Sequence, residues 1–235
     1  GGAIFNQGTI TSTGNTFQNN TATSNGGAIF NQGNLTGNSN TYNYNSATNG
    51  YGGAILNNTG GILNETQSTF NHNSAVTGGA LSNFADVTLE NSNFQNNSAI
   101  YGGAVYNTSN VTLNETENTY TENTATYGGA VFNDGIITAL RNNYNHNNAL
   151  NGGAIFNLGS LTLNQCGLHY NAATGMGGAI FNLGNINGNG CSFTYNTAVT
   201  GGAVSNCSGA SLNNCNFINN SATNGGAVYN APNVS

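Results

Sequence analysis

A motif of the form Gly-Gly-Ala-aliphatic-x-Asn recurs along the chain at intervals of 24 to 26 residues. Gly152-Gly153-Ala154-Ile155-Phe156-Asn157 is a representative copy. The ten copies begin at Gly1, Gly26, Gly52, Gly78, Gly102, Gly128, Gly152, Gly177, Gly201 and Gly225. A fixed period of this length is typical of a protein in which one supersecondary unit stacks on itself. We therefore expect residues 1–235 to form a single solenoid domain, and the start in mid-repeat without Met favours a fragment or processed part of a longer array.

Each repeat contains three short segments with strand character. In residues 102–127 the first is Ala104–Asn107, the second is Val111–Leu113, and the third starts at Tyr120 with the pattern aromatic-x-x-Asn-(Ser/Thr)-Ala. Apolar residues alternate with a period of two, and no period of 3.6 is present, so helices are not expected. The sequence predicts an all-β parallel β-helix of about nine coils, each with three short strands. At about 4.8 Å per coil the rod would be roughly 45 Å long.

The first segment of each repeat carries two side-chain rows that should face opposite ways. The residue after Ala is aliphatic in every copy, so it should face the core. The next residue should face outward, and its apolar members form a candidate interaction stripe: Phe5, Phe30, Leu56, Tyr106, Phe132, Phe156, Phe181 and Tyr229. Contiguous exposed apolar surface usually marks an interface. A neighbouring rod, a glycan or a host protein could cover it; alternatively, the corners of the chain fold over the row.

An asparagine follows this pair in all ten copies, where the chain should turn. Identical Asn side chains stacked at a corner can hydrogen-bond to the turn and to each other. We therefore expect a structural ladder. Its members are Asn6, Asn31, Asn57, Asn83, Asn107, Asn133, Asn157, Asn182, Asn206 and Asn230.

Charged side chains are rare, with one Lys or Arg and seven Asp or Glu in 235 residues. Such a chain cannot form the basic patch that phosphate contacts need, so nucleic-acid binding is close to excluded. The sequence also lacks an apolar run of the roughly 18 residues that a membrane helix requires, so this segment is not expected to insert into a membrane.

Four cysteines lie in the C-terminal third. Cys166, Cys191 and Cys215 share one position of the repeat, so they should stack in consecutive coils. Cys166–Cys191 is a candidate disulfide, since neighbouring coils are about 4.8 Å apart. Small buried thiols that fill a position held elsewhere by Asn142 or Ser92 are the alternative. Zinc is disfavoured, because its ligands usually lie two to four residues apart.

Catalysis is not predicted, although many β-helices act on polysaccharides. Glu65 and Glu115 share a position two coils apart, or about 9.6 Å, near the upper limit for the carboxylate pair of an inverting glycosidase. No long insertion is present that could form the walls of a cleft. We therefore expect Glu65 and Glu115 to be solvated carboxylates in loops. His72 and His146 share a position three coils apart, about 14 Å, which is too far to share a metal. No catalytic residue, metal site or cofactor is predicted.

The pairing of Gly26-Gly27-Ala28-Ile29 with Tyr42-Asn43-Tyr44-Asn45 resembles the GGA[IV] and FxxN repeats of the chlamydial polymorphic outer-membrane proteins. Similar repeats occur in large surface proteins of other microbes. The resemblance covers essentially the whole chain. It implies a right-handed β-helix passenger at the cell surface or outside the cell, with adhesion as the usual role. No receptor-contact residue carries over from the motif.

These observations together predict a non-enzymatic extracellular structural rod. Such a rod would be the subunit of a cell-surface filament or adhesive surface layer, built by stacking of β-helices and by lateral contacts. Self-association, end to end or lateral, is the expected interaction. The alternative is an adhesin or glycan-binding passenger segment of a surface protein, with a host protein or glycan as partner. A polysaccharide-acting enzyme is the third and weakest hypothesis.

Overall fold

Each repeat forms one coil, and each strand pairs in parallel with the equivalent strand one repeat earlier and one repeat later. In the computed structural model, which describes residues 1–231, Ile155 pairs with Val131 on one side and with Ile180 on the other. The predicted parallel β-solenoid of about nine coils is confirmed.

Four parallel sheets run along the stack. Sheet 1 holds Ile4–Asn6, Ile29–Asn31, Ile55–Asn57, Leu81–Asn83, Val105–Asn107, Val131–Asn133, Ile155–Asn157, Ile180–Asn182, Val204–Asn206 and Val228–Asn230. Sheet 2 holds Thr9–Thr13, Asn34–Asn38, Ile62–Thr66, Val87–Glu90, Thr112–Thr116, Ile136–Leu140, Ser160–Asn164, Asn185–Asn189 and Gly209–Asn213. Sheet 3 holds Thr16–Gln18, Thr41–Asn43, Thr69–Asn71, Asn93–Gln95, Thr119–Thr121, Asn143–Asn145, Gly167–His169, Ser192–Thr194 and Asn216–Ile218. Sheet 4 holds Thr21–Ala22, Ser46–Tyr51, Ser74–Thr77, Ser98–Tyr101, Thr124–Tyr127, Asn148–Asn151, Ala172–Ala173, Thr197–Thr200 and Ser221–Asn224.

The coil therefore has four strands where the sequence pattern predicts three. The additional strand lies between the aromatic-x-x-Asn motif and the next Gly-Gly, as in Ser98–Tyr101. Its residues are half-buried or exposed, so they show no clear alternation of apolar and polar side chains. A strand without that alternation gives no period-two signal in the sequence.

The two glycines of each Gly-Gly pair are required for different reasons. Gly152 has a φ of +67°, a left-handed conformation that costs little only for glycine. Gly153 has no such angle, but a Cβ there would lie 2.1 Å from the carbonyl oxygen of Gly178 in the next coil. Both positions therefore exclude a side chain.

The interior is filled by rows of side chains that stack from coil to coil. Ile155 is fully buried, as predicted. Ala154 is also fully buried; it lies before the strand, so the inward and outward alternation of strand residues does not apply to it. Sheet 3 contributes a column of aromatic rings, of which Phe70 and Phe94 lie 4.5 Å apart and almost parallel. Stacked rings at this distance add to the free energy gained by burial.

The predicted Asn ladder is present, and it continues through every coil. The Asn133 side-chain amide donates to Asn157 Oδ1 at 2.8 Å, and Asn157 donates to Asn182 Oδ1 at 2.7 Å. Asn157 Nδ2 also donates to the carbonyl oxygen of Gly159 at 3.1 Å, within its own corner. The Asn157 side chain is thereby hydrogen-bonded within its own coil and to both neighbouring coils.

The asparagines that end the aromatic-x-x-Asn motif form a second ladder. The sequence pattern indicates a repeated position there but does not predict a ladder. Asn97 donates from its backbone N–H and from Nδ2 to Asn123 Oδ1, both at 3.0 Å. It also donates to the carbonyl oxygen of Phe70 in the preceding coil at 2.9 Å. The residue before it, Asn96, has a φ of +53°, so this corner consists of one left-handed residue followed by one ladder residue.

Asn157→Ala should destabilise the chain by about 2 kcal/mol, because it removes the inter-coil hydrogen bonds to Asn133, Asn182 and the Asn185 carbonyl and leaves buried polar groups on both neighbours. Urea unfolding followed by circular dichroism measures the change. Asn187→Ala, at an exposed position of sheet 2, is the matched control and should cost little. Equal losses in the two variants would contradict a stabilising role for the ladder.

Candidate binding surface

The side chains of the candidate interaction stripe, which come directly after the core aliphatic residues, lie outside the main core. They are nevertheless largely buried. Phe132, Phe156 and Phe181 form a second apolar cluster and are only 6–7% exposed. Leu56 is 2% exposed, and Tyr106 and Phe30 are half-buried. Only the members at the two ends of the row are open, namely Phe5 and Tyr229. The expected continuous exposed stripe is therefore wrong, because most of the row is covered by other side chains.

Tyrosines that precede the paired glycines cover the row. Tyr101 lies with its ring nearly perpendicular to that of Phe132, at a centroid distance of 5.5 Å. Tyr127 meets Phe156 in the same way at 5.3 Å. Tyr101 and Tyr127 also stack on each other at 5.5 Å. The sequence signal for these residues is the recurring Tyr-Gly-Gly, seen at Tyr51, Tyr101 and Tyr127.

The row is interrupted where serine replaces the apolar residue. Ser82 is fully buried and donates a hydrogen bond to the carbonyl oxygen of Thr77 at 2.7 Å. Phe84, two residues later, contributes its ring instead and meets Tyr51 at 5.1 Å in a perpendicular arrangement. At Ser205 the equivalent residue is Cys207, which packs against the same cluster.

A notch opens where the covering row is also interrupted. Thr77 pairs in register with Tyr51 on one side and Tyr101 on the other, so a small side chain lies between two tyrosines. The resulting cavity has a volume of about 210 Å³ and is lined by Tyr51, Thr77, Tyr101, Tyr106 and Phe132. We call it the tyrosine slot. A shallower depression of about 320 Å³ continues past Tyr127 and Leu158.

The tyrosine slot is aromatic, hydroxyl-rich and free of cations. Tyr51 and Tyr101 are 42% and 38% exposed. Burial raises the pKa of Tyr106, and the proximity of Asp134, Tyr51 and Tyr101 raises it further. The single arginine, Arg141, lies elsewhere, in an ion pair with Glu117 at 2.6 Å. The slot thus combines apolar ring faces with phenol groups.

The glutamates predicted to be solvated are inside the core. Glu65 is 1% exposed, and its carboxylate accepts hydrogen bonds from the Tyr42 and Ser68 hydroxyls, both at 2.6 Å. Gly37, its neighbour in sheet 2, provides the space, since a Cβ there would lie 2.1 Å from the carboxylate oxygen. Glu65 follows inward-facing Leu63 by two residues, so strand alternation already placed it inside.

Glu115 is equivalent and is 2% exposed. It accepts hydrogen bonds from the Tyr120 hydroxyl, from Asn142 Nδ2 at 2.9 Å and from the Tyr144 hydroxyl at 3.1 Å. Burial raises the pKa of Glu65 to about 6 and that of Glu115 to about 7, although their hydrogen-bond donors oppose the shift. Neither carboxylate reaches a surface on which a polysaccharide could bind.

The cysteines stack as predicted but are free thiols. Cys166 Sγ donates to the carbonyl oxygen of Ala139 at 3.6 Å, and Cys191 Sγ donates to that of Leu163 at 3.4 Å. The candidate Cys166–Cys191 disulfide is therefore absent from the structure. Both thiols are buried at the corner between sheets 2 and 3, where Asn142 or Ser92 lies in other coils.

The histidines at the shared position are exposed, and each stacks on a tyrosine. His72 lies 4.8 Å from Tyr44, and His146 lies 4.9 Å from Tyr170. Among residues 1–231 no three His, Cys, Asp or Glu side chains form a group that could hold a metal ion. The same residues contain no helix of the length and apolarity needed to cross a membrane.

Comparison with known families finds a match in two segments of the chain, residues 16–32 and 214–231. Both match the model of the Chlamydia polymorphic membrane protein repeat. The predicted resemblance is confirmed. Each matched segment contains an aromatic-x-x-Asn motif followed by a Gly-Gly-Ala motif. Searches of the curated proteins and of the solved structures give no significant match. The repeat family and the β-solenoid together fit a surface protein.

The unfolding free energy should fall as the pH rises from about 5 to about 8. The folded chain holds protons on Glu65 and Glu115 at pH values where the unfolded chain, with a glutamate pKa of 4.5, has released them. This stabilisation is complete below about pH 4.5 and is lost as the pH passes the folded values of about 6 and 7. Each unit of pKa shift corresponds to about 1.4 kcal/mol.

Urea unfolding at several pH values measures this dependence. The double variant Glu65→Gln with Glu115→Gln should flatten it, and Glu90→Gln, at an exposed position, should leave it unchanged. If the double variant kept the pH dependence of the unaltered chain, the buried glutamates would not be its cause.

Proposed function

We propose that this chain is a non-enzymatic, extracellular structural rod of a cell-surface protein. In this proposal it builds a filament or an adhesive surface layer, and it associates with further copies end to end or side by side. The repeat family and the fold support the surface location. The parallel pairing of every coil with its neighbours in four sheets supports the structural role.

The pairing between coils carries the proposal. Ladder asparagines and strands join each coil to the next by the same hydrogen bonds throughout the stack, for example Asn57 to Asn83 and Asn83 to Asn107. An edge strand presents unpaired backbone groups to which another strand can add. A coil of the same geometry can satisfy them whether it belongs to the same chain or to a second copy.

Exposed apolar side chains on the outer faces support lateral contacts. Ile62 and Ile136 project from sheet 2 and are 52% and 47% exposed. Leu150 in sheet 4 is 45% exposed. Apolar groups at such positions stabilise contacts between parallel rods, because their burial removes apolar surface from water.

A non-enzymatic role is favoured by the placement of the acidic residues. The one carboxylate pair with a spacing near that of a glycosidase, Glu65 and Glu115, is buried and hydrogen-bonded to tyrosines. General acid catalysis requires a group within reach of the substrate, and these two groups lie inside the stack.

A second candidate function is adhesion to a host protein or glycan by a passenger segment. The observation that favours it is the tyrosine slot, because exposed tyrosines around an apolar depression are typical of recognition surfaces. This role is compatible with the structural one, since a rod can carry a binding site on its side.

Residues 1–235 should form polymers at high protein concentration, and sedimentation velocity with electron microscopy measures their size and shape. Phe5→Lys places a charge beside the first strand and should shorten end-to-end polymers. Ile136→Lys should reduce side-by-side association only. Asn187→Lys, at an exposed polar position, is the control for added charge. Monomers alone at every concentration of the unaltered chain would contradict the proposal.

A further inference from the structure

The tyrosine slot differs from the rest of the surface because the small side chain of Thr77 lies between two tyrosines, Tyr51 and Tyr101. Two tyrosines of sheet 4 each cover a ring of the aromatic row in the next coil: Tyr101 covers Phe132, and Tyr127 covers Phe156. Thr77 has no ring and is 7% exposed. Tyr106, which stacks on Phe132 at 5.4 Å, is therefore left half-buried and reachable between Tyr51 and Tyr101.

The width of the slot is set by the spacing of the coils. Tyr51 and Tyr101 are separated by one intervening strand, which holds Thr77, so they lie two coils apart, or about 10 Å. Adjacent rings in this chain stack at 4.5 to 5.5 Å. A single ring placed above Thr77 would thus lie at stacking distance from both tyrosines, with Tyr106 beneath its edge.

The chemistry of the lining selects the kind of ring. A pyranose has C–H groups on its faces and hydroxyls around its rim, so it needs flat apolar walls with hydrogen-bonding groups at the edges. Tyr51, Tyr101 and Tyr106 provide both, because each combines an aromatic face with a phenol. Thr77 and the nearby Asp134 add further polar groups.

Charge excludes acidic sugars. The chain has a formal net charge of −6 and its single cation, Arg141, is paired with Glu117. A carboxylated or sulfated sugar would enter the slot near Asp134 without a positive group to offset the repulsion. A neutral sugar carries no such cost.

We infer that the tyrosine slot is a binding site for one pyranose unit of a neutral glycan, held between the rings of Tyr51 and Tyr101 and above Tyr106. The shallower depression along Tyr127 and Leu158 accommodates the adjoining units of the glycan. The inference names the ligand class for the adhesive candidate function, and it is independent of self-association.

Titration calorimetry of the full chain with cellohexaose, laminarihexaose and maltohexaose tests the site. At least one of these neutral hexaoses should bind, and its carboxylated or sulfated counterpart should not. Thr77→Tyr places a third ring between Tyr51 and Tyr101 and fills the slot, so it should abolish binding. Tyr101→Ala removes one wall and should weaken binding by about tenfold or more.

Tyr170→Ala removes a tyrosine that is 48% exposed at a different corner, and it should bind as the unaltered chain does. Circular dichroism of each variant reports whether the β fold is kept, and Tyr101→Ala keeps the test decisive if Thr77→Tyr does not fold. Light scattering of the same samples reports self-association separately, so a failure of one proposal is not mistaken for a failure of the other.

Three results would overturn the inference. The first is the absence of binding to all three neutral hexaoses at millimolar concentration. The second is binding that Thr77→Tyr and Tyr101→Ala leave unchanged. The third is binding of a decaproline peptide, but of no hexaose, that Thr77→Tyr blocks, because the slot would then recognise a proline-rich segment.

Discussion

The hydrogen bond from one side-chain amide to the next holds each coil in register with its neighbours. Asn157 can donate to Asn182 and accept from Asn133 only if all three lie directly above one another. A coil with a shifted register would leave buried amides unpaired, at a cost of about 1–3 kcal/mol each. The variation of the repeat length between 24 and 26 residues leaves the ladder positions aligned, because irregular segments such as the bulge in sheet 4 absorb the difference.

Binding of a ligand depends on side chains that take no part in the asparagine ladders. Side chains on the outer faces can vary without disturbing the stack. The slot between Tyr51 and Tyr101 exists because the small side chain of Thr77 lies between them. In a repeat protein a local combination of side chains can therefore create an individual site on a repeating surface.

The fold could be read from the sequence because its determinants recur ten times. Ile155 and Asn157 were placed correctly from their positions in the motif alone. The site was predicted less well. The direction of Phe156, away from the main core, followed from alternation, but its covering by Tyr127 depends on a fourth strand that the sequence pattern does not predict. The charge of Glu65 favours a solvated position, but its place two residues after inward-facing Leu63 in the same strand points to the core. The slot depends on the small side chain of Thr77 between two tyrosines. This arrangement becomes visible only when the residues of neighbouring coils are aligned in space.

Hydrogen exchange of the asparagine side-chain amides tests the central claim most directly. NMR with selectively labelled asparagine resolves the Nδ2 protons of the ladder from those of exposed residues. If the ladders hold the coils together, the amide protons of Asn107, Asn133 and Asn157 should exchange only when the stack unfolds, at rates close to those of the most protected backbone amides. Rates as fast as that of exposed Asn187 would show that the amides are open to water in the folded chain, and would contradict the account.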